Sequence, residues 1–327
     1  MKKGALNLIT DVPGVQVGHV TLDKKLNDTD SICTGVTAIL PHLGNSFLNK
    51  VPAASFVLNG FGKTVGLIQL EELGLMESPI MLTNTFSVAA VLEGTLGYML
   101  NENQEIGDST SSLNLVVGEC NDSYLNSMRL MAVRPEHAVQ AINNASSGGF
   151  EQGAVGAGKG MICYGMKGGI GSSSRVAEYE DMLFTVGVLT LTNFGRAQEC
   201  RLASWEPDHL EKPDGSVIIV VATNAPVDAR QLKRIAKRAS IGLGRTGTHI
   251  HNGSGDIIIT FSNAHTVPHA SKEVFLNRPI LRDDHPLMNE LFQAVIEATE
   301  EAVYQSIIHA ETTTGRLGRV IEKGDLK

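Results

Sequence analysis

Two almost uninterrupted aliphatic runs constrain the fold of this 327-residue chain more than any other feature. One is Val217, Ile218, Ile219, Val220, Val221 and Ala222; the other is Ile257, Ile258 and Ile259, closing with Thr260 and Phe261. A strand with one wet face alternates apolar and polar residues, so continuous runs belong to strands covered on both faces. Between them, Asp228 caps a helix running to about Gly244, with Leu232, Ile235, Ala236, Ala239 and Leu243 on one stripe. This is a layered α/β pattern.

Other elements follow from period and punctuation. Residues 14–20, 34–41, 53–58, 80–83 and 184–192 read as strands. Residues 65–73, 87–101, 135–146 and 287–310 read as helices, with Gly74 as a stop signal. Glycine accounts for 34 residues and is densest between Gly153 and Gly171, while aromatic residues make up only 5%. That balance implies many tight turns. The polar stretch from Gly195 to Gly215, which holds the single tryptophan, Trp205, reads as a long surface loop. No repeat and no linker appears, so a single domain covers 1–327.

Composition excludes several classes. With 42% hydrophobic residues and 19% charged, the chain is globular rather than disordered. Its net charge of −8 offers no footprint for nucleic acid. The one basic cluster (Lys233, Arg234, Lys237, Arg238) lies at helical spacing and reads as a solvated helix face. No segment reaches the roughly eighteen apolar residues of a membrane span, and the N-terminus lacks a signal-peptide core. Four scattered cysteines with no CxxC pair suit a reducing compartment, so the expected location is cytoplasmic.

Several chemistries compete for the remaining motifs. The segment Gly153 to Gly160 has glycine where a P-loop needs Ser or Thr after Lys159. His249, His251, His265 and His269 form no metal-ligand frame and read as solvated loop residues. No GxSxG elbow is present. Asn252-Gly253-Ser254-Gly255-Asp256 sits between a polar loop and a buried strand. It is either an ordinary turn or a self-processing site. In the second case flanking glycines let the Ser254 hydroxyl reach the Gly253 carbonyl, and an N→O acyl shift followed by hydrolysis frees a new N-terminus. A free α-amine, with an unperturbed pKa of about 7.7–8.0, then serves as base.

Many ordered motifs bear on that choice. They include Leu8 to Val15 with Val17-Gly18-His19, Thr34-Gly35-Val36-Thr37, and Asn59-Gly60-Phe61-Gly62-Lys63. Gly158 to Met161 with Tyr164 to Gly171, Thr192 to Gly195, Ala222 to Pro226, Asn252 to Asp256 and Glu297 to Ala302 continue the series. Across most of its length the chain resembles the L-aminopeptidase/D-esterase and β-peptidyl aminopeptidase family, self-cleaving N-terminal-nucleophile serine peptidases. The resemblance implies a four-layer αββα sandwich, N-terminal-nucleophile-like, cut between Gly253 and Ser254 into an α chain of 1–253 and a β chain of 254–327. It implies Ser254 as nucleophile, Glu300 as the acidic partner, and Tyr164 at the substrate pocket and oxyanion site.

An asparagine amide is expected to donate to the oxyanion, either Asn193 or Asn224. If 184–192 and 216–222 pair antiparallel, and helix 228–244 makes a parallel crossover, Asn193 shares Ser254's end of the sheet and Asn224 the other. That favours Asn193. Ala298 stands where some members carry a serine, and Asn224 where an aspartate is common.

The implied activity is an aminopeptidase or amidase acting on small peptides, amides or esters, with no metal or organic cofactor. Expected partners are the substrate, the processed chains themselves and further copies in a homo-oligomer. An acyltransferase on the ornithine-acetyltransferase-like fold and an uncleaved ligand-binding protein are the alternatives.

Overall fold

A computed structural model describes residues 1–202 and 215–326. Trp205 and most of its expected surface loop lie outside the described residues. The main elements in chain order are β1 (Gln16–Lys25), β2 (Ser31–Leu40), β3 (Asn49–Gly60), α1 (Leu67–Leu73), β4 (Ile80–Asn84), α2 (Val88–Glu102), β5 (Val116–Cys120) and α3 (Pro135–Asn143). They continue with β6 (Ile170–Tyr179), β7 (Met182–Asn193), β8 (Ser216–Thr223), α4 (Ala229–Arg245), β9 (Gly255–Ser262) and α5 (Leu287–Ile308).

One sheet has the order β1-β2-β4-β5, and the other runs β3-β9-β8-β7-β6. Val17, Ile39, Leu82 and Val116 of the first sheet meet Leu189, Ile218, Val220, Ile257 and Ile259 of the second in one buried cluster. The opposite face of β8, through Val217, Ile219 and Val221, packs under α4 and α5. The outer face of the first sheet, through Val36, Ala38 and Met81, packs under α2 and α3. The layers are therefore helix, sheet, sheet, helix, and both aliphatic runs are covered on two sides.

Local signals set several boundaries. Asp228 accepts from the Gln231 N–H at 2.7 Å and starts α4. Gly74 ends α1 at φ +65°, where a Cβ would be disfavoured. The sequence did not reveal β6 as a strand, because its buried positions carry Ser172, Ser173, Ser174 and Arg175. Each finds a polar partner: Ser172 donates to the Val188 carbonyl at 2.7 Å, Ser173 to Asn7 at 2.9 Å and Ser174 to Asp11 at 2.6 Å. Arg175 pairs with Glu297 and Glu301 at 3.2 and 2.5 Å. Satisfied polar groups tolerate burial, but they erase the apolar period.

The basic face of α4 is less solvated than its sequence implies. Arg238 lies 3.8 Å from the Phe292 ring centre, and Arg234 pairs with Asp283 at 2.8 Å.

Strand register places the site. β7 pairs antiparallel with β8, and β8 pairs parallel with β9 through the α4 crossover. Asn193 faces Ser216, Ser216 faces Gly255, and Gly255 faces Gly60. These four residues form one row at one end of the second sheet.

Candidate active site

Ser254 immediately precedes β9, at the end of that row. Its backbone N–H donates to the His251 carbonyl at 2.9 Å, closing a tight turn. Ile250, just ahead, adopts φ +58°. A β-branched residue rarely does so, and such backbone costs on the order of 1–3 kcal/mol. The Ser254 hydroxyl is buried and donates to Asp256 Oδ1 at 2.7 Å. Asp256 Oδ2 is buried with no partner among the described residues, and burial pushes the carboxyl up to about 6.

Asn59, at the end of β3, braces the same turn. Its amide nitrogen donates to the carbonyls of His251 (3.2 Å), Asn252 (3.0 Å) and Ser254. Glu199 ties down the loop ahead of the turn, with His251 Nε2 at 2.8 Å and His249 Nδ1 at 3.4 Å from its carboxylate. His269 likewise pairs with Thr110 and stacks on Phe47. Reading all four loop histidines as simply solvated is thus corrected: tertiary partners hold His251 and His269, while His249 stays exposed beside Glu199. Among the described residues, no group of three or more His, Cys, Asp or Glu is placed to hold a metal.

The structure distributes the expected site residues unevenly. Asn193 is buried in the Ser254 row, where its Oδ1 accepts from the Ile162 N–H at 3.0 Å and its Nδ2 donates to the Asn121 carbonyl at 2.7 Å. Tyr164 is buried beside it at φ +52°, with its N–H on the Phe194 carbonyl. The Tyr164 hydroxyl pairs with Thr246 at 2.6 Å and accepts from the Thr248 N–H at 3.1 Å. Burial raises this phenol far above its ordinary value, so it stays protonated. Gly195 allows the close approach of that ring, since a Cβ there would fall 2.4 Å from it.

Glu300 lies on α5, in the helix layer above this end of the sheet, and is partly exposed. Its carboxylate pairs with Arg245, the last residue of α4, at 3.3 Å. Among the described residues no hydrogen bond joins it to Ser254. Asn224 follows the opposite end of β8, where its Oδ1 accepts from the Thr185 N–H at 2.7 Å. At strand rise that is about 26 Å from the Ser216 end, so the structure does not bring Asn224 to the junction.

Sequence reasoning also passed over Glu119. This buried carboxylate on β5 accepts from the Lys63 N–H at 2.7 Å and from the Thr85 hydroxyl. Gly62 bridges it to the junction: a Cβ on Gly62 would lie 3.5 Å from Glu119 Oε1 and 3.7 Å from the Gly255 Cα. Sequence gives no signal for this, because Glu119 and Gly255 sit on different sheets.

The chain as a whole has counterparts among known proteins. The family model described as peptidase family S58 matches residues 7–321. The beta-peptidyl aminopeptidase BapA of Sphingosinicella microcystinivorans is 37% identical, over 98% of this chain and 86% of that protein. The solved PH0078 protein of Pyrococcus horikoshii OT3 is 48% identical at a TM-score of 0.92, covering 99% of this chain and 92% of that one. The L-aminopeptidase D-Ala-esterase/amidase of Ochrobactrum anthropi, a variant of the Ntn-hydrolase fold, superposes at a TM-score of 0.89 and is 33% identical. It covers 99% of this chain and 92% of its own. These likenesses favour a serine hydrolase over an acyltransferase or a binding protein. The chain belongs to peptidase family S58 and is an aminopeptidase.

Proposed function

We propose that the chain cuts itself between Gly253 and Ser254, and that Ser254 then acts as an N-terminal nucleophile. The observation that carries this reading is the braced turn: a buried serine hydroxyl at the mouth of a central strand, with glycine on both sides and neighbouring carbonyls held by Asn59. The freed amine of Ser254 takes the proton from its own hydroxyl during each turnover, and the hydroxyl attacks the carbonyl of a substrate's first residue. Asn193 is the oxyanion donor, Tyr164 shapes the pocket beside it and Glu300 is the acidic partner. An oxyanion donor acts by being aimed before charge develops. For Asn193 this requires releasing the Asn121 carbonyl.

The two chains, 1–253 and 254–327, stay together without a covalent link. β9 hydrogen-bonds to β8 on one side and β3 on the other, and α5 packs on the helix-facing side of the second sheet. The substrates are small peptides, amides or esters with a free amine, β-amino residues included, as in the names of the relatives. Glu119 supplies the negative charge that pairs with that amine. The working unit is a homo-oligomer of processed chains in the cytoplasm; among the described residues no helix is long and apolar enough to cross a membrane.

Intact mass and N-terminal sequencing of purified protein test the reading. A second chain beginning at Ser254 is the expected result, and a persistent single chain with full aminopeptidase activity refutes it.

A further inference from the structure

Before the cut, the group that later serves as base does not yet exist. The Ser254 nitrogen is an amide, and its hydrogen is spent on the His251 carbonyl at 2.9 Å. Amide nitrogens are not bases near neutral pH, so the first reaction at this site needs another proton acceptor. Asp256 occupies that position, 2.7 Å from the hydroxyl. Asp256 pairs in register with Val217, whose side chain packs in the helix-facing core, so its carboxylate lies on that side of β9.

The carboxylate is an expensive choice if its only task is to satisfy a hydroxyl. Any neutral acceptor would do that, whereas Asp256 leaves its second oxygen buried and, among the described residues, unpartnered. Glu300 does not fill the role, because its bond goes to Arg245. Of the titratable groups around it, His251, from the junction loop, lowers the Asp256 carboxyl, while Asp256 itself raises the neutral Cys120 thiol of the facing sheet.

We propose that Asp256 is the base that removes the Ser254 hydroxyl proton when the chain cuts itself, a role that rests on the reading of Ser254 as the attacking group. The proton passes from Oγ to the Asp256 carboxylate as Oγ bonds to the Gly253 carbonyl carbon. The carbon–nitrogen bond then breaks, and the departing nitrogen takes that proton. An ester and a free amine result. Water hydrolyses the ester to a Gly253 carboxylate and restores the hydroxyl, and Asp256 ends as it began. Burial holds its carboxyl at about 6, making it a better base than an exposed aspartate yet ionised at neutral pH.

The test uses full-length precursor refolded by dilution from denaturant into buffers from pH 4.5 to 8, with cleavage followed on denaturing gels. For the wild type, the rate should rise about tenfold per pH unit below about 6 and then level off. Asp256→Asn should cut at least 100-fold more slowly at pH 7.5 and lose that rise, while circular dichroism and melting show a native fold. Cleavage of folded Asp256→Asn at the wild-type rate overturns the proposal. Should Asp256→Asn not fold, the wild-type profile decides alone, and a flat rate from pH 4.5 to 6.5 overturns it. Ser254→Ala separates the two readings. If it is cut, or the wild type never is, the attack by Ser254 itself falls; if only Ser254→Ala stays whole, the assignment of Asp256 alone falls.

Discussion

Asn59 spans the peptide bond between Gly253 and Ser254: one amide nitrogen donates to the Asn252 carbonyl at 3.0 Å and to the Ser254 carbonyl beyond it. Carbonyls on both sides of the bond are thereby fixed, and in the proposed self-cleavage the Gly253 carbonyl between them is the one attacked. Asn59→Asp keeps the size and replaces the donor by a repelling carboxylate. Losing a positioned group by even about 1 Å costs on the order of 100-fold in rate. Refolded Asn59→Asp precursor should therefore cut itself 10- to 100-fold more slowly on a gel time course, roughly 1.4–2.7 kcal/mol of barrier.

Glu119 offers a test of substrate recognition. Glu119→Gln keeps the shape and the bond from Lys63 N–H but removes the charge. A hydrogen bond to a charged group contributes about 1.5–3 kcal/mol. KM for an amino-acid p-nitroanilide should rise about 10- to 100-fold with a smaller change in kcat. Hydrolysis of a matched ester lacking the amine should be little altered.

Asp122 should make stability depend on pH. It is fully buried, accepts from Asn126 at 2.9 Å, and leaves Oδ2 without a partner among the described residues. Burial raises its carboxyl from 3.8 to about 7, against the pull of the nearby Thr34 hydroxyl and the Asn126 amide. The folded chain thus holds this proton where the unfolded chain has lost it. The stabilising contribution is complete below about pH 4 and disappears as pH rises through about 7, amounting to at most about 4 kcal/mol. Urea unfolding of wild type and Asp122→Asn at pH 4–8 should show the wild type losing more stability across that window, and parallel curves would contradict the argument.

Two glycines in α4 should respond oppositely to alanine. A Cβ at Gly242 would lie 2.3 Å from the Ile296 carbonyl of α5, so Gly242→Ala must push the helices apart and should cost about 1–3 kcal/mol. Gly244 has nothing among the described residues within 4 Å of that position, and Gly244→Ala should add up to about 1 kcal/mol. Thermal unfolding of both variants checks the pair.

Legibility in the sequence tracked how local each cause was. The aliphatic runs, the Asp228 cap and the Gly74 stop were readable because neighbouring residues decide them. The shared end of Asn193 and Ser254 followed from the strand–helix–strand pattern, which the register of β7, β8 and β9 reproduces. Ser172 to Arg175 hid β6, since their partners Asn7, Asp11 and Glu297 come from other parts of the chain.

By itself the sequence determined the covered strands, the glycine-flanked serine at the start of β9 and the peptidase character carried by its ordered motifs. Only the tertiary structure decided that Asn59 and Asp256 bond at that serine's turn, with Glu119 across Gly62 from Gly255, while Asn224 stands at the far end of β8. The physical reason is sequence separation. β3 reaches β9 across nearly two hundred residues, and such pairings are fixed by which buried faces fit together rather than by any neighbouring side chain.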